Sequence, residues 1–156
     1  MMKVLVTGAA GFIGRAVSQA LLERGDSVVA VDNLNDAYDV GLKKDRIRNL
    51  ADQSNYAFIE ADLGCRDSLN SLNSQHGPFR HVVHLAAQAG VRKSMDQPHA
   101  FLRDNVEVHL NILELCRTTG GFEHLVFASS SSVYGANPQP SSSISDSIAR
   151  PMSTHK

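Results

Sequence analysis

The stretch Lys3-Val4-Leu5-Val6-Thr7-Gly8-Ala9-Ala10-Gly11-Phe12-Ile13-Gly14 decides the fold. Its first half is a compact apolar run of the kind that forms a short strand buried on both faces. Gly8, Gly11 and Gly14 follow at once, and beyond them Ile13, Ala16, Val17, Ala20 and Leu21 fall on one face of a predicted helix that Gly25 is placed to end. A strand that turns tightly through glycines into a helix leaves bare amides at the helix N-terminus. There, unpaired N–H groups and the helix dipole favour a pyrophosphate, and the last glycine allows close packing of helix on sheet. Glycines at this spacing also suit an ordinary tight turn, so context has to decide. It does so through Asp32, which ends the next apolar run at the distance where an acidic side chain meets an adenosine ribose.

Working outward, short β-branched runs alternate with segments of helical period, a pattern that forces parallel strands joined by helical crossovers. Strands are expected at Lys3–Thr7, Ser27–Asp32, Tyr56–Glu60, 81–85 and 124–129. A second clear helix follows Pro98, where Leu102, Val106, Leu110, Leu113 and Cys116 repeat at three and four residues before Gly120-Gly121 ends the run. Weaker helical signals cover 42–50 and 68–72. The fold class is therefore α/β, a doubly wound parallel sheet of about five strands in the order 3-2-1-4-5. The sheet domain spans 1–135, and 136–156, rich in Pro and Ser, is expected to be an irregular tail.

A chain of 156 residues with 42% hydrophobic and 20% charged residues suits one globular domain. Its net charge of -1, with both signs scattered, gives no basic stripe for nucleic acid and no polybasic membrane anchor. No apolar stretch approaches a signal peptide core or a membrane span. Cys65 and Cys116 stand far apart in no CxxC arrangement, so neither a disulfide framework nor a metal site is encoded, and a reducing cytoplasm is the default compartment. A carboxylate at Asp32 can accept hydrogen bonds from both ribose hydroxyls and repels a 2′-phosphate; the next residue is Asn33, not Arg. The expected cofactor is NAD rather than NADP.

The Gly-x-x-Gly-x-x-Gly spacing resembles that of the extended short-chain dehydrogenase/reductase superfamily, mostly NAD-dependent epimerases and dehydratases of nucleotide sugars. Asp62-Leu63 after the third strand is similar to its adenine-contacting pair, and Leu85-Ala86-Ala87, preceded by His84, is similar to its cofactor-flanking segment. Asn105 in the long helix and 129–135 after the fifth strand complete the match. The resemblance implies a Rossmann-type domain with a cofactor site at Gly8, Gly11, Phe12, Ile13, Gly14, Asp32, Asn33, Asp62, Leu63, Leu85, Ala86, Ala87 and Asn105. Without it, Asp62 reads as a helix cap, Ala86 and Ala87 as small residues for packing and Asn105 as a polar residue on the surface.

In that superfamily a Tyr-x-x-x-Lys pair removes a hydroxyl proton while hydride passes to NAD, assisted by a Ser or Thr that corresponds here to Ser130. Its dehydratases carry Asp-Glu after that hydroxyl residue, because eliminating water needs an extra acid and base. Ser131 and Ser132 stand there instead, which favours oxidation and re-reduction on the opposite face, an epimerisation. The stretches 32–36 and 86–92 most resemble UDP-glucuronate 4-epimerases, with Arg92 a candidate for the charged end of the substrate; UDP-hexose 4-epimerases stay open.

Counting from Val133-Tyr134-Gly135, the superfamily's tyrosine should fall at His155, after Pro151 and Ser153. None of Tyr38, Tyr56 and Tyr134 has a lysine four residues on, and Ser142 and Ser145 stand where an aromatic and an acidic residue are expected. The expectation is the NAD-binding portion of a nucleotide-sugar epimerase, lacking the catalytic pair and the substrate domain and inactive alone. A non-catalytic NAD-binding or regulatory module is the alternative, and a reading frame continuing into the missing parts is a third. Superfamily members are commonly homodimers, and part of the helical surface for that contact is missing.

Overall fold

The computed structural model describes residues 1–130. Ser131, Ser132, Tyr134, His155 and the expected tail lie outside the described residues. The elements run β1 (Lys3–Thr7), α1 (Phe12–Glu23), β2 (Ser27–Asp32), α2 (Val40–Arg48), β3 (Tyr56–Glu60), α3 (Arg66–His76), β4 (His81–His84), α4 (Val91–Asp96), α5 (Pro98–Leu102), a π-helical turn (Arg103–Glu107), α6 (Val108–Thr118) and β5 (His124–Phe127). The strands form one parallel sheet in the order β3-β2-β1-β4-β5.

Strand alternation divides the core in two. Leu5, Val29, Val31 and Val82 point to the face covered by α3 and α6, where they meet Leu69, Leu72, Ile112 and Leu115. Val4, Val6, Val28 and Ala30 point to the other face, where Leu22 of α1 and Leu50 beyond α2 cover them. Both β4 and β5 are shorter than expected, although the chain keeps the ladder direction beyond each: Leu85 N–H donates to Thr7 O and Ala128 N–H to His84 O.

Two helices present different faces from those expected. In α1 the buried positions are Gly14, Ser18 and Leu22, while Phe12 and Ile13 are exposed. Gly14 sets this face, because the lack of a side chain there lets the helix approach the β1 turn closely. Gly25 does end α1 as expected: at φ +90° it donates to Leu22 O while Asp26 N–H reaches Leu21 O, closing a Schellman motif. The helix expected after Pro98 is interrupted by the π-helical turn, which changes its phase. It packs on the sheet through Val108, Ile112, Leu115 and Cys116, while Leu102, Val106, Leu110 and Leu113 face outward. Among the described residues no helix is long and apolar enough to cross a membrane.

Candidate functional site

The carboxyl ends of β1 to β4 converge on a cleft that Gly8, Asp32, Asp62 and Ala86 line together. Gly8 turns out of β1 at φ +66°, where a side chain is strained, and a Cβ on it would lie 2.8 Å from Ala86 N and from Leu85 C and O. Main chain therefore packs directly on main chain between the glycine loop and the loop after β4. A Cβ on Gly14 would come within 2.1 Å of Gly8 O. These two glycines hold α1 against the sheet with its N-terminus at the cleft. Gly11, the N-cap, offers no side chain to the first turn, which also carries no acidic residue. The orphan amides of that turn are left to an anion.

Asp32, 8% exposed, closes the β2 end. Its Oδ2 accepts from Ala10 N–H at 3.1 Å and its Oδ1 from Leu34 N–H at 2.9 Å, and Lys43 Nζ stands 3.6 Å from Oδ1. A carboxylate offers about four lone-pair directions, so two remain for hydroxyls of a ligand. Leu34 takes the left-handed conformation at φ +49°, which its bond to Asp32 holds in place.

Beyond Asn33, the strap formed by residues 34–39 and α2 was not anticipated as part of the site. Asn35, Ala37, Tyr38 and Lys43 line the cleft. Lys43, almost wholly buried, donates to Asn35 O at 2.9 Å and Asn35 Oδ1 at 2.8 Å, with its ammonium 4.8 Å from the Tyr38 ring centre. Tyr38 OH and Arg46 both donate to Ala10 O at 3.2 Å, tying the strap to the glycine loop. The available signal was the placing of Lys43 and Arg46 three apart on one face of a short polar helix just after Asp32.

Of the expected site residues, Gly8, Gly11, Asp32, Asn33, Asp62, Leu63, Leu85, Ala86 and Ala87 line this cleft. Asp62 Oδ1 accepts from Gly64 N–H at 2.8 Å, shaping the turn after β3. The others fall elsewhere. Gly14 is buried on the inner side of α1, and Phe12 and Ile13 point outward at the helix start, so their share of a site is main-chain. Asn105 lies in the π-helical turn and grips the loop after β4 from outside, accepting from Gln88 N–H at 2.7 Å and donating to Gln88 O at 3.0 Å. Ser130 follows β5 at the end of the described residues, and Arg92 sits in exposed α4. Neither lines the cleft.

The two described tyrosines are unsuited to proton abstraction. Burial pushes Tyr56 up to about 12, helped by the Asp32 charge, and burial likewise raises Tyr38. A phenolate base needs the opposite direction.

The model of the NAD dependent epimerase/dehydratase family matches residues 4–156. The chain belongs to this family. Among its relatives, UDP-glucuronate 4-epimerase 2 of Arabidopsis thaliana is 44% identical over 152 residues, covering 97% of this chain and 35% of the plant protein. The structure of UDP-glucuronic acid 4-epimerase from Bacillus cereus, in complex with UDP-glucuronic acid and NAD, superposes with a TM-score of 0.74 at 38% identity, over 86% of this chain and 42% of that one. The UDP-Glc/GlcNAc 4-epimerase of Campylobacter jejuni gives a TM-score of 0.82 at 28% identity, over 97% of this chain and 44% of its own. This member of the family thus spans between about a third and under half the length of these relatives.

Proposed function

We propose that the cleft binds NAD and that the chain is the NAD-binding portion of a nucleotide-sugar epimerase, the substrate being UDP-glucuronate. One observation carries this reading: a buried carboxylate, Asp32, with two acceptor directions to spare, faces an uncapped helix N-terminus across a turn too tight for a side chain at Gly8. In this assignment Asp32 takes the adenosine ribose hydroxyls, with Asn33 beside it. The first-turn amides of Phe12, Ile13 and Gly14 take the pyrophosphate, with Gly11 leaving room for it. Asp62 and Leu63 flank the adenine, and Leu85, Ala86 and Ala87 flank the nicotinamide end. Asn105 acts at one remove, by fixing Gln88, and Ser130 is assigned the hydroxyl that assists proton transfer at the sugar.

NAD would accept hydride from the sugar carbon and return it. The protein's part is to hold the sugar with either face towards the cofactor and to exclude water. The reading of UDP-glucuronate rests on the 44% identity to the plant enzyme and on the B. cereus structure. The likeness to the C. jejuni enzyme favours a UDP-hexose as the second reading. The cytoplasm is the assigned compartment, with Cys65 and Cys116 both free thiols. For a homodimer, the exposed stripe Leu102, Val106, Leu110 and Leu113 would be the surface to use.

The test is thermal unfolding with and without NAD. Cofactor at about 100 times its Kd should stabilise by about 2.7 kcal/mol, and Asp32→Ala should abolish the response. An unchanged midpoint in NAD would reject the cofactor assignment.

A further inference from the structure

Behind the cleft wall, Thr7 and His84 share a hydrogen bond whose proton can be placed by counting. Thr7 Oγ1 lies 3.1 Å from Leu85 N, 3.1 Å from Ala86 N and 2.7 Å from His84 Nδ1. The two amides can only donate, and a hydroxyl has two lone pairs and one proton. Ala86 N–H takes one lone pair and Leu85 N–H, shared between Thr7 O at 3.2 Å and Oγ1, lies on the other, which leaves the hydroxyl proton for His84 Nδ1. His84 is therefore a neutral imidazole carrying its proton on Nε2, an assignment that the surroundings support. It is 5% exposed. Thr7 faces it from β1, and His109 of α6 stacks on it with centroids 5.2 Å apart at 21°. His109 in turn lies 5.1 Å from Phe127 of β5. Of these neighbours His109 is the ionisable one, and a positive charge there opposes one on His84.

We propose that the Thr7–His84 hydrogen bond is a proton-sensitive latch on the Leu85–Ala86 wall of the cleft, closed when His84 is neutral and released when it is protonated. A protonated His84 would turn Nδ1 into a donor, and Thr7 Oγ1 could then accept from it only by giving up Ala86 N–H or its share of Leu85 N–H, which keeps Thr7 O as its other acceptor. Loss of the Ala86 bond frees an amide whose main chain, with that of Leu85, lies against Gly8 closely enough to exclude a Cβ. Release would thus move the wall and the glycine loop together. Burial first, and His109 second, lower the His84 pKa to about 4, which sets the range where the latch opens. The regulatory part of the proposal rests on the cleft being the NAD site.

Nitrogen NMR of histidine-labelled protein, with backbone amides followed in parallel and no NAD present, reads the latch directly. At about pH 7 His84 should be the Nε2–H tautomer, and on acidification the Leu85 and Ala86 amides should shift with its titration. In parallel, NAD affinity should fall tenfold per pH unit below that midpoint, one proton being linked to release. His84→Asn keeps an acceptor near the Nδ1 position without a titrating ring and should remove the acid step; NAD's own adenine also takes up a proton in acid, and this variant separates the two effects. His109→Phe keeps the stacking and should move the midpoint to higher pH. A proton on Nδ1 at neutral pH, amides that ignore the titration, or an acid step that persists in His84→Asn would each overturn the proposal. If NAD fails to bind even at neutral pH, the cofactor reading falls, and the amide titration still judges the latch by itself.

Discussion

Replacing Gly14 by Ala sets two physical effects against each other. Gly14 lies inside α1 with ordinary helical backbone, and helix propensity alone makes Ala the better residue there by about 1 kcal/mol. The added methyl, however, would sit 2.1 Å from Gly8 O and 2.8 Å from Ala9 Cα. Both contacts are main-chain atoms of the turn, so no side chain can swing aside and α1 itself must lift from the end of β1. Overpacking of this kind costs about 1–3 kcal/mol, occasionally more. With a contact this short it outweighs propensity, and the expected net loss is about 2 kcal/mol, together with a weaker NAD response because the first-turn amides move. Urea denaturation of Gly14→Ala and wild type, each without cofactor, measures the first quantity; NAD titration measures the second. The control is Gly120→Ala, where an added Cβ meets nothing within 4 Å. A Gly14→Ala protein as stable as wild type, or more so, would refute the claim that close approach fixes this helix.

Three further outcomes are expected. Ser18 Oγ is buried with no hydrogen-bond partner, so Ser18→Ala should raise stability by about 1 kcal/mol in the same urea assay, by removing a desolvated hydroxyl and improving helix propensity. Lys43→Met should cost about 1–3 kcal/mol, because Asn35 loses its donor and Asp32 its nearest cation, and calorimetric NAD affinity should fall with it. Stability should also decline in acid through His84. Its folded value of about 4 lies below the ordinary 6.5, so the unfolded chain binds the proton first. The stability present above pH 6.5 is lost as pH falls towards 4, by about 3 kcal/mol in all. Urea midpoints across that range should show a smaller decline in His84→Asn.

The strands were legible because each is a dense apolar run, and β1, β2 and β3 begin and end where the run does. The glycine loop and Asp32 were legible because their spacing reflects a backbone requirement that few other arrangements share. Helix faces were not. In α1 two of the three buried residues, Gly14 and Ser18, are small and carry no apolar bulk, so a count of apolar side chains points to the wrong side. In α6 apolar residues occupy more than one face, and the π-helical turn at Arg103–Glu107 breaks the period on which the count relies. The strap escaped notice because its contacts are polar and long-range: nothing in a run of Asn35, Tyr38, Lys43 and Arg46 reveals that two of them reach back to the carbonyl of Ala10.

The contact of Gly8 with Leu85 and Ala86 bears on how this site tolerates sequence drift. Where two loops touch through main-chain atoms, the shape of the wall at Leu85 and Ala86 is written by peptide geometry. Changes there alter the lining of the cleft and leave its frame intact. Gly8 has no such latitude, since any Cβ strikes the opposite peptide. Tolerance in this pocket is therefore lopsided, with Gly8 admitting no side chain against the peptides of Leu85 and Ala86.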